Sequence, residues 1–185
     1  CYYVAGTVGE LVTNLVSRDA DGEQASRMRE TAESFALLLQ LVNVAKDVHA
    51  DYYEENNVYL PASWLEANGV PQDDLCDPEH ADAVAAVVER TAERAESYAD
   101  DALAYLEAMP ETKGNRLVAW TIPFLLAVGT LREVQDRPGD ALRSEGIKVD
   151  REEVHALMAA LSDGVERESI ADLRETVAET PFHRA

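Results

Sequence analysis

Phe35-Ala36-Leu37-Leu38-Leu39-Gln40-Leu41-Val42-Asn43-Val44-Ala45-Lys46-Asp47-Val48-His49-Ala50-Asp51 reads as helix, because Phe35, Leu38, Leu39 and Val42 recur at three and four residues. The turn-like Asp19 to Gly22 precedes it and Asn56-Asn57 follows it, so one long helix from Ala25 to about Asp51 is expected. On that helix Gln40, Asn43, Asp47 and Asp51 share a sector of about 80°, at about 100° per residue. Carboxylates at i and i+4, about 6 Å apart along the axis, offer hard oxygens to Mg²⁺ and leave coordination sites for phosphate and water. A solvated acidic face is the other reading of the same residues. His49 points about 200° away from Asp47 and reads as a surface residue. His80, His155 and His183 have no partner at metal-ligand spacing.

Toward the N-terminus, Val8, Leu11, Val12 and Leu15 continue the spacing of Val4 on one face of a first helix, beside the small residues Ala5, Gly6 and Gly9. Tyr59-Leu60-Pro61 is an extended stop, Ser63 is placed to cap a short helix through Ala67, and Asn68-Gly69-Val70-Pro71 is a turn. Pro78 opens a helix expected to run to Met109. Asn115 to Gln135 is an apolar helix, and Arg151 to Leu161 and Arg167 to Ala178 give one or two terminal helices. No repeat, low-complexity stretch or convincing strand is found, so the class is all-α in a single domain. The apolar run Leu117 to Leu131 contains Pro123 and is too short to span a bilayer, which takes roughly 20 residues. It reads as a buried core helix.

The 185 residues carry 36 Asp and Glu against 16 Lys and Arg, a formal net charge of −20. That acidity excludes nucleic-acid binding through a basic face, so a phosphate-rich ligand needs a bridging cation. Only Lys46, Lys113 and Lys148 are lysines. With 46% hydrophobic residues, the balance describes a folded protein whose acidic surface suits a salt-rich cytoplasm, that of a halophile. Cys1 and Cys76 form no C-x-x-C pattern, which argues against a disulfide framework or a zinc site and for a reducing compartment. Cys1 opens in the middle of an apolar pattern without an initiating Met, so an N-terminal part of a longer protein is expected to be missing.

Three motifs stand in order: Cys1-Tyr2-Tyr3-Val4-Ala5-Gly6-Thr7-Val8-Gly9, then Gln40-Leu41-Val42-Asn43-Val44-Ala45-Lys46-Asp47-Val48-His49-Ala50-Asp51, then Val58-Tyr59-Leu60-Pro61. Together they resemble the squalene/phytoene synthase family of head-to-head prenyl transferases, most firmly from Cys1 to about Gly69. The resemblance implies an isoprenoid-synthase-type helical bundle, of which this chain is the C-terminal portion. It implies Asp47 and Asp51 as catalytic carboxylates that hold Mg²⁺ with Asn43, and Gln40, Lys46, Tyr59 and Lys148 beside the prenyl diphosphate. Val4, Val8, Gly9 and Ala36 match positions that line the family's prenyl tunnel. For Ala5, Gly6 and Gly9, close helix packing remains the alternative to tunnel lining.

The implied reaction joins two farnesyl diphosphates to presqualene diphosphate and then squalene, with NADPH as reductant. Joining two geranylgeranyl diphosphates, which needs no reductant, is the alternative. The chain has no G-x-G-x-x-G. It departs from the family pattern at Lys46, where Arg is usual, and at Asn56-Asn57-Val58, where an Arg often precedes Tyr-Leu-Pro. Lys keeps the charge and loses the bidentate fork for phosphate. The family's catalytic Tyr and its first aspartate motif are expected upstream of Cys1, and these 185 residues alone are expected to be inactive. The lysine departure favours the farnesyl reading, in a cytoplasmic, haloarchaeal protein for which peripheral membrane contact stays open. A noncatalytic helical bundle, with the acidic face serving solubility, is the reading of another class.

Overall fold

The computed structural model describes residues 5–112 and 116–185; Val4 and Asn115 therefore lie outside the described residues. Nine α-helices run through them, with no β-strand: α1 Thr7–Val16, α2 Gly22–Lys46, α3 Val48–Tyr53, α4 Ala62–Ala67, α5 Ala81–Glu96, α6 Ala99–Ala108, α7 Val118–Asp136, α8 Arg151–Ala160 and α9 Ile170–Glu179. The all-α expectation holds, and Leu117 to Leu131 is indeed core: Leu117, Phe124, Leu125, Ala127, Val128 and Leu131 of that run are buried. Among the described residues no helix is long and apolar enough to cross a membrane.

The central helix α2 begins three residues before its expected start, because Asp21 and Gln24 form a capping box. The Asp21 carboxylate accepts the backbone N–H groups of Glu23 (3.0 Å) and Gln24 (2.9 Å), and the Gln24 side chain accepts the Asp21 N–H (3.3 Å). Met28, Ala32, Phe35, Leu38, Val42 and Ala45 along α2 are buried, and the helix packs against α1, α5, α6 and α7. Glu23, Arg27, Glu30 and Glu33 keep a polar solvent side, while the buried side meets four other helices, so the bundle is organised around α2.

Two long helices expected from periodicity are broken. The first stops at Lys46, where Asp47 adopts φ −101° and ψ 17°, and α3 resumes at Val48. The second divides at Ser97-Tyr98, between α5 and α6, where the Ser97 hydroxyl donates to the Arg94 carbonyl at 2.7 Å and competes with the helical ladder. Ser63 lies inside α4 rather than at its N-cap, which is Pro61 and makes no side-chain capping bond.

The distal end is tied by buried charge. Glu153 of α8, fully buried, accepts both Arg132 Nη1 (3.1 Å) and Nη2 (2.7 Å) from α7 and the Phe182 N–H (3.0 Å). Arg132 also donates to the Val177 carbonyl at the end of α9, so one guanidinium joins α7, α8 and α9. Arg167 similarly donates to the Leu106 (3.0 Å), Met109 (2.8 Å) and Glu107 carbonyls, placing a cation on the negative end of α6.

Candidate active site

A cavity of about 260 Å³ lies where α1 crosses α2. Its walls are Ala5, Val8, Gly9 and Val12 on the α1 side, Ala32, Phe35, Ala36, Leu39, Gln40 and Asn43 on α2, Tyr105 on α6 and Trp120 on α7. Apart from the tyrosine hydroxyl and the indole N–H, the lining is apolar until it reaches the amides of Gln40 and Asn43. Five residues singled out from the sequence, Val8, Gly9, Ala36, Gln40 and Asn43, thus meet in one space.

Gly9 serves both readings left open above. A Cβ there would stand 2.9 Å from the Ala32 carbonyl oxygen and 3.0 Å from the Ala36 Cβ, so only glycine lets α1 approach α2 this closely while also lining the cavity. The far wall is aromatic. Phe35 stacks on Tyr105 with centroids 5.0 Å apart and meets Trp120 edge-on at 6.3 Å. The buried Tyr105 hydroxyl pairs with Thr13 Oγ1 at 3.0 Å, which satisfies both groups and fixes the ring against the cavity.

About one and two turns beyond Asn43 stand the two carboxylates, Asp47 and Asp51. The break at Asp47 places Gln40 and Asn43 on α2, Asp47 at the joint and Asp51 on α3, so the expected single helix face is a bent one. Asp47 N–H still donates to the Asn43 carbonyl (3.1 Å) and Asp51 N–H to the Asp47 carbonyl (2.9 Å), which keeps the three in sequence along the bend. Lys46 Nζ pairs with Asp47 Oδ2. Burial, then the Asp47 and Glu55 charges, push the Asp51 carboxyl up to about 6, against the smaller opposing pull of Lys46.

The described residues contain no group of three or more His, Cys, Asp and Glu side chains placed to hold a metal. What they offer is Asp51, whose carboxyl is raised by burial and then by the Asp47 and Glu55 charges, beside Asp47, and a divalent cation bound there would offset that repulsion. The donor set fits Mg²⁺, which takes one or two carboxylates and completes its shell with phosphate oxygens and water.

The remaining predicted residues sit at the edge. Tyr59 is exposed, its hydroxyl donating to Glu55 Oε2 at 3.2 Å. Lys148 is exposed and makes no ion pair among the described residues, but Ile147 just before it reaches the Lys46 carbonyl. His49 stands against the Tyr53 ring at 4.6 Å, away from the pair's ligand set. Val12, Tyr105 and Trp120 were not anticipated as cavity residues. Helical spacing marks Val12 as apolar, whereas Tyr105 and Trp120 arrive from separate helices and carry no local signal.

A family model described as Squalene/phytoene synthase matches residues 1–153. Among curated proteins, the chain is 30% identical over 151 residues to the 15-cis-phytoene synthase of Pantoea ananas, covering 82% of this chain and 41% of that protein. It is 34% identical over 110 residues to the 15-cis-phytoene synthase of Enterobacter agglomerans (60% and 35%) and 29% identical over 160 residues to the probable squalene synthase of Neurospora crassa (85% and 32%). It therefore spans less than half the length of these relatives. A solved complex of TcSQS with the ligand E5700 superposes with a TM-score of 0.74 at 19% identity, covering all of this chain and 58% of that one, and establishes the fold as that of an all-α isoprenoid synthase. With the family model covering most of its length and the fold in agreement, this chain belongs to the squalene/phytoene synthase family.

Proposed function

We propose that the chain is the diphosphate-binding and tunnel-lining portion of a Mg²⁺-dependent transferase that condenses two prenyl diphosphates head to head. The observation that carries this reading is the continuity between an apolar cavity and a polar end. The cavity takes a hydrocarbon chain, the Gln40 and Asn43 amides stand at its polar end, and Asp47 and Asp51 follow about one and two turns further along. Bound there, Mg²⁺ would supply the Lewis acidity that stabilises a departing diphosphate. Asp47, Asp51 and Asn43 hold the cation, and Lys46 keeps one positive charge beside Asp47. The apolar walls exclude water that would otherwise quench a carbocation.

Farnesyl diphosphate is our first substrate, with squalene as product and NADPH as reductant, on the ground of Lys46 in place of the usual arginine. Geranylgeranyl diphosphate is the second, favoured by the phytoene synthases among the relatives. Product analysis of the full-length protein, offered each diphosphate with Mg²⁺ and high KCl, with and without NADPH, tests both. A C30 hydrocarbon that requires NADPH supports the first, and a C40 product independent of NADPH selects the second. Absence of any condensed product from either substrate contradicts the proposal.

A further inference from the structure

The bend that separates Asp47 from the body of α2 is held from outside the helix. In an unbroken helix the Lys46 carbonyl would accept the N–H of Ala50. Here α2 ends at Lys46, and the N–H of Ile147 donates to that carbonyl at 3.5 Å, a long hydrogen bond made by a residue a hundred positions away. Gly146 sits directly over the same oxygen: it has φ +60°, and a Cβ added to it would lie 3.3 Å from Lys46 O. Ile147 is fully buried, as is Ala141 in the preceding turn, so the segment is anchored in the core.

We propose that the Gly146-Ile147 backbone is a positioning element for the Asp47 and Asp51 carboxylates. By taking the last carbonyl of α2 it stops that helix one residue before Asp47. The two acids are then presented across a fixed bend instead of along a straight face. Glycine is favoured twice over at 146, by the left-handed backbone and by the tight approach to Lys46 O. The inference rests on the reading of Asp47 and Asp51 as the metal-holding pair, and its test separates the two.

Mn²⁺ binding in the presence of inorganic diphosphate is measured by electron paramagnetic resonance on the full-length protein and on its Asp47→Asn, Gly146→Ala and Gly146→Asn variants. Asparagine tolerates the left-handed backbone but carries the same Cβ, so it keeps the test running if alanine prevents folding. Both Gly146 variants are expected to bind Mn²⁺ ~10-fold more weakly, the size of loss that outer-shell changes produce. Half-saturating Mg²⁺ for turnover rises in parallel, and saturating Mg²⁺ restores the turnover. Wild-type Mn²⁺ affinity in Gly146→Asn, with binding lost in Asp47→Asn, overturns the positioning role alone. Binding that is the same in Asp47→Asn and wild type overturns the metal-site reading, and the positioning role with it.

Discussion

Asp51 is the residue whose surroundings most oppose its own ionisation. Its carboxyl rises from 3.8 to about 6 through burial and then through Asp47 and Glu55. Between those two values the folded protein holds more protons at this site than the unfolded chain, so the contribution of Asp51 to stability falls as pH rises through that window. Asp51→Asn, neutral at every pH, is therefore expected to raise the unfolding midpoint of the metal-free protein at about pH 7.5, and to raise it less at about pH 5. An equal or lower midpoint at the higher pH contradicts the assignment. Residues such as Asp51 were legible because the four-residue spacing from Asp47 is local in the sequence and its Asp51 N–H to Asp47 carbonyl bond survives the break between α2 and α3. Tyr105 was not, since its partner Thr13 is 92 positions away and nothing local to either marks the pair. Gly9 is intermediate: its place among small residues is visible in the sequence, but the Ala32 carbonyl that demands a glycine is supplied by another helix.

At the scale of elements, helical periodicity located the helices and overran two of the joints. A one-residue irregularity at Asp47 or at Ser97-Tyr98 barely disturbs the apolar spacing, and the cause of the first lies in Gly146-Ile147, far along the chain. The Asp21/Gln24 capping box, by contrast, is a local signal that sequence inspection passed over. The Arg132-Glu153 pair is a further tertiary feature without sequence signature. Burial opposes the Arg132 charge, and hydrogen bonds and charge from Glu153 and Glu133 outweigh it, raising its pKa. Glu153→Gln keeps the shape but leaves the guanidinium of Arg132 with Glu133 as its remaining anionic partner. A loss of about 3 kcal/mol in unfolding free energy is expected, the lower end of what breaking a buried pair costs, because Glu133 still faces Arg132. Denaturant titration of the two proteins checks it, and a difference under about 0.5 kcal/mol, the level of an ordinary surface change, would show that the network does not bind α7, α8 and α9 together.

Across the whole molecule, a charge of −20 on 185 residues sets the conditions under which the bundle is stable. Most of the acids repel one another across the surface, and the screening length shrinks from about 10 Å at 0.1 M salt to about 3 Å at 1 M. The unfolding midpoint is accordingly expected to climb by several degrees between those KCl concentrations, while a flat or falling midpoint would remove the salt-adapted reading of the surface. Two acids are set apart from that coat by position: Asp47 and Asp51 stand beyond the amide end of an apolar cavity, on a bend held by a distant loop. We propose that this pair holds the cation for a prenyl diphosphate. The decisive measurement is the turnover of the full-length protein carrying Asp47→Asn on the diphosphate it accepts at saturating Mg²⁺. A fall of ~100-fold or more with unchanged far-ultraviolet circular dichroism is the predicted result. Turnover equal to that of the unsubstituted protein would contradict it.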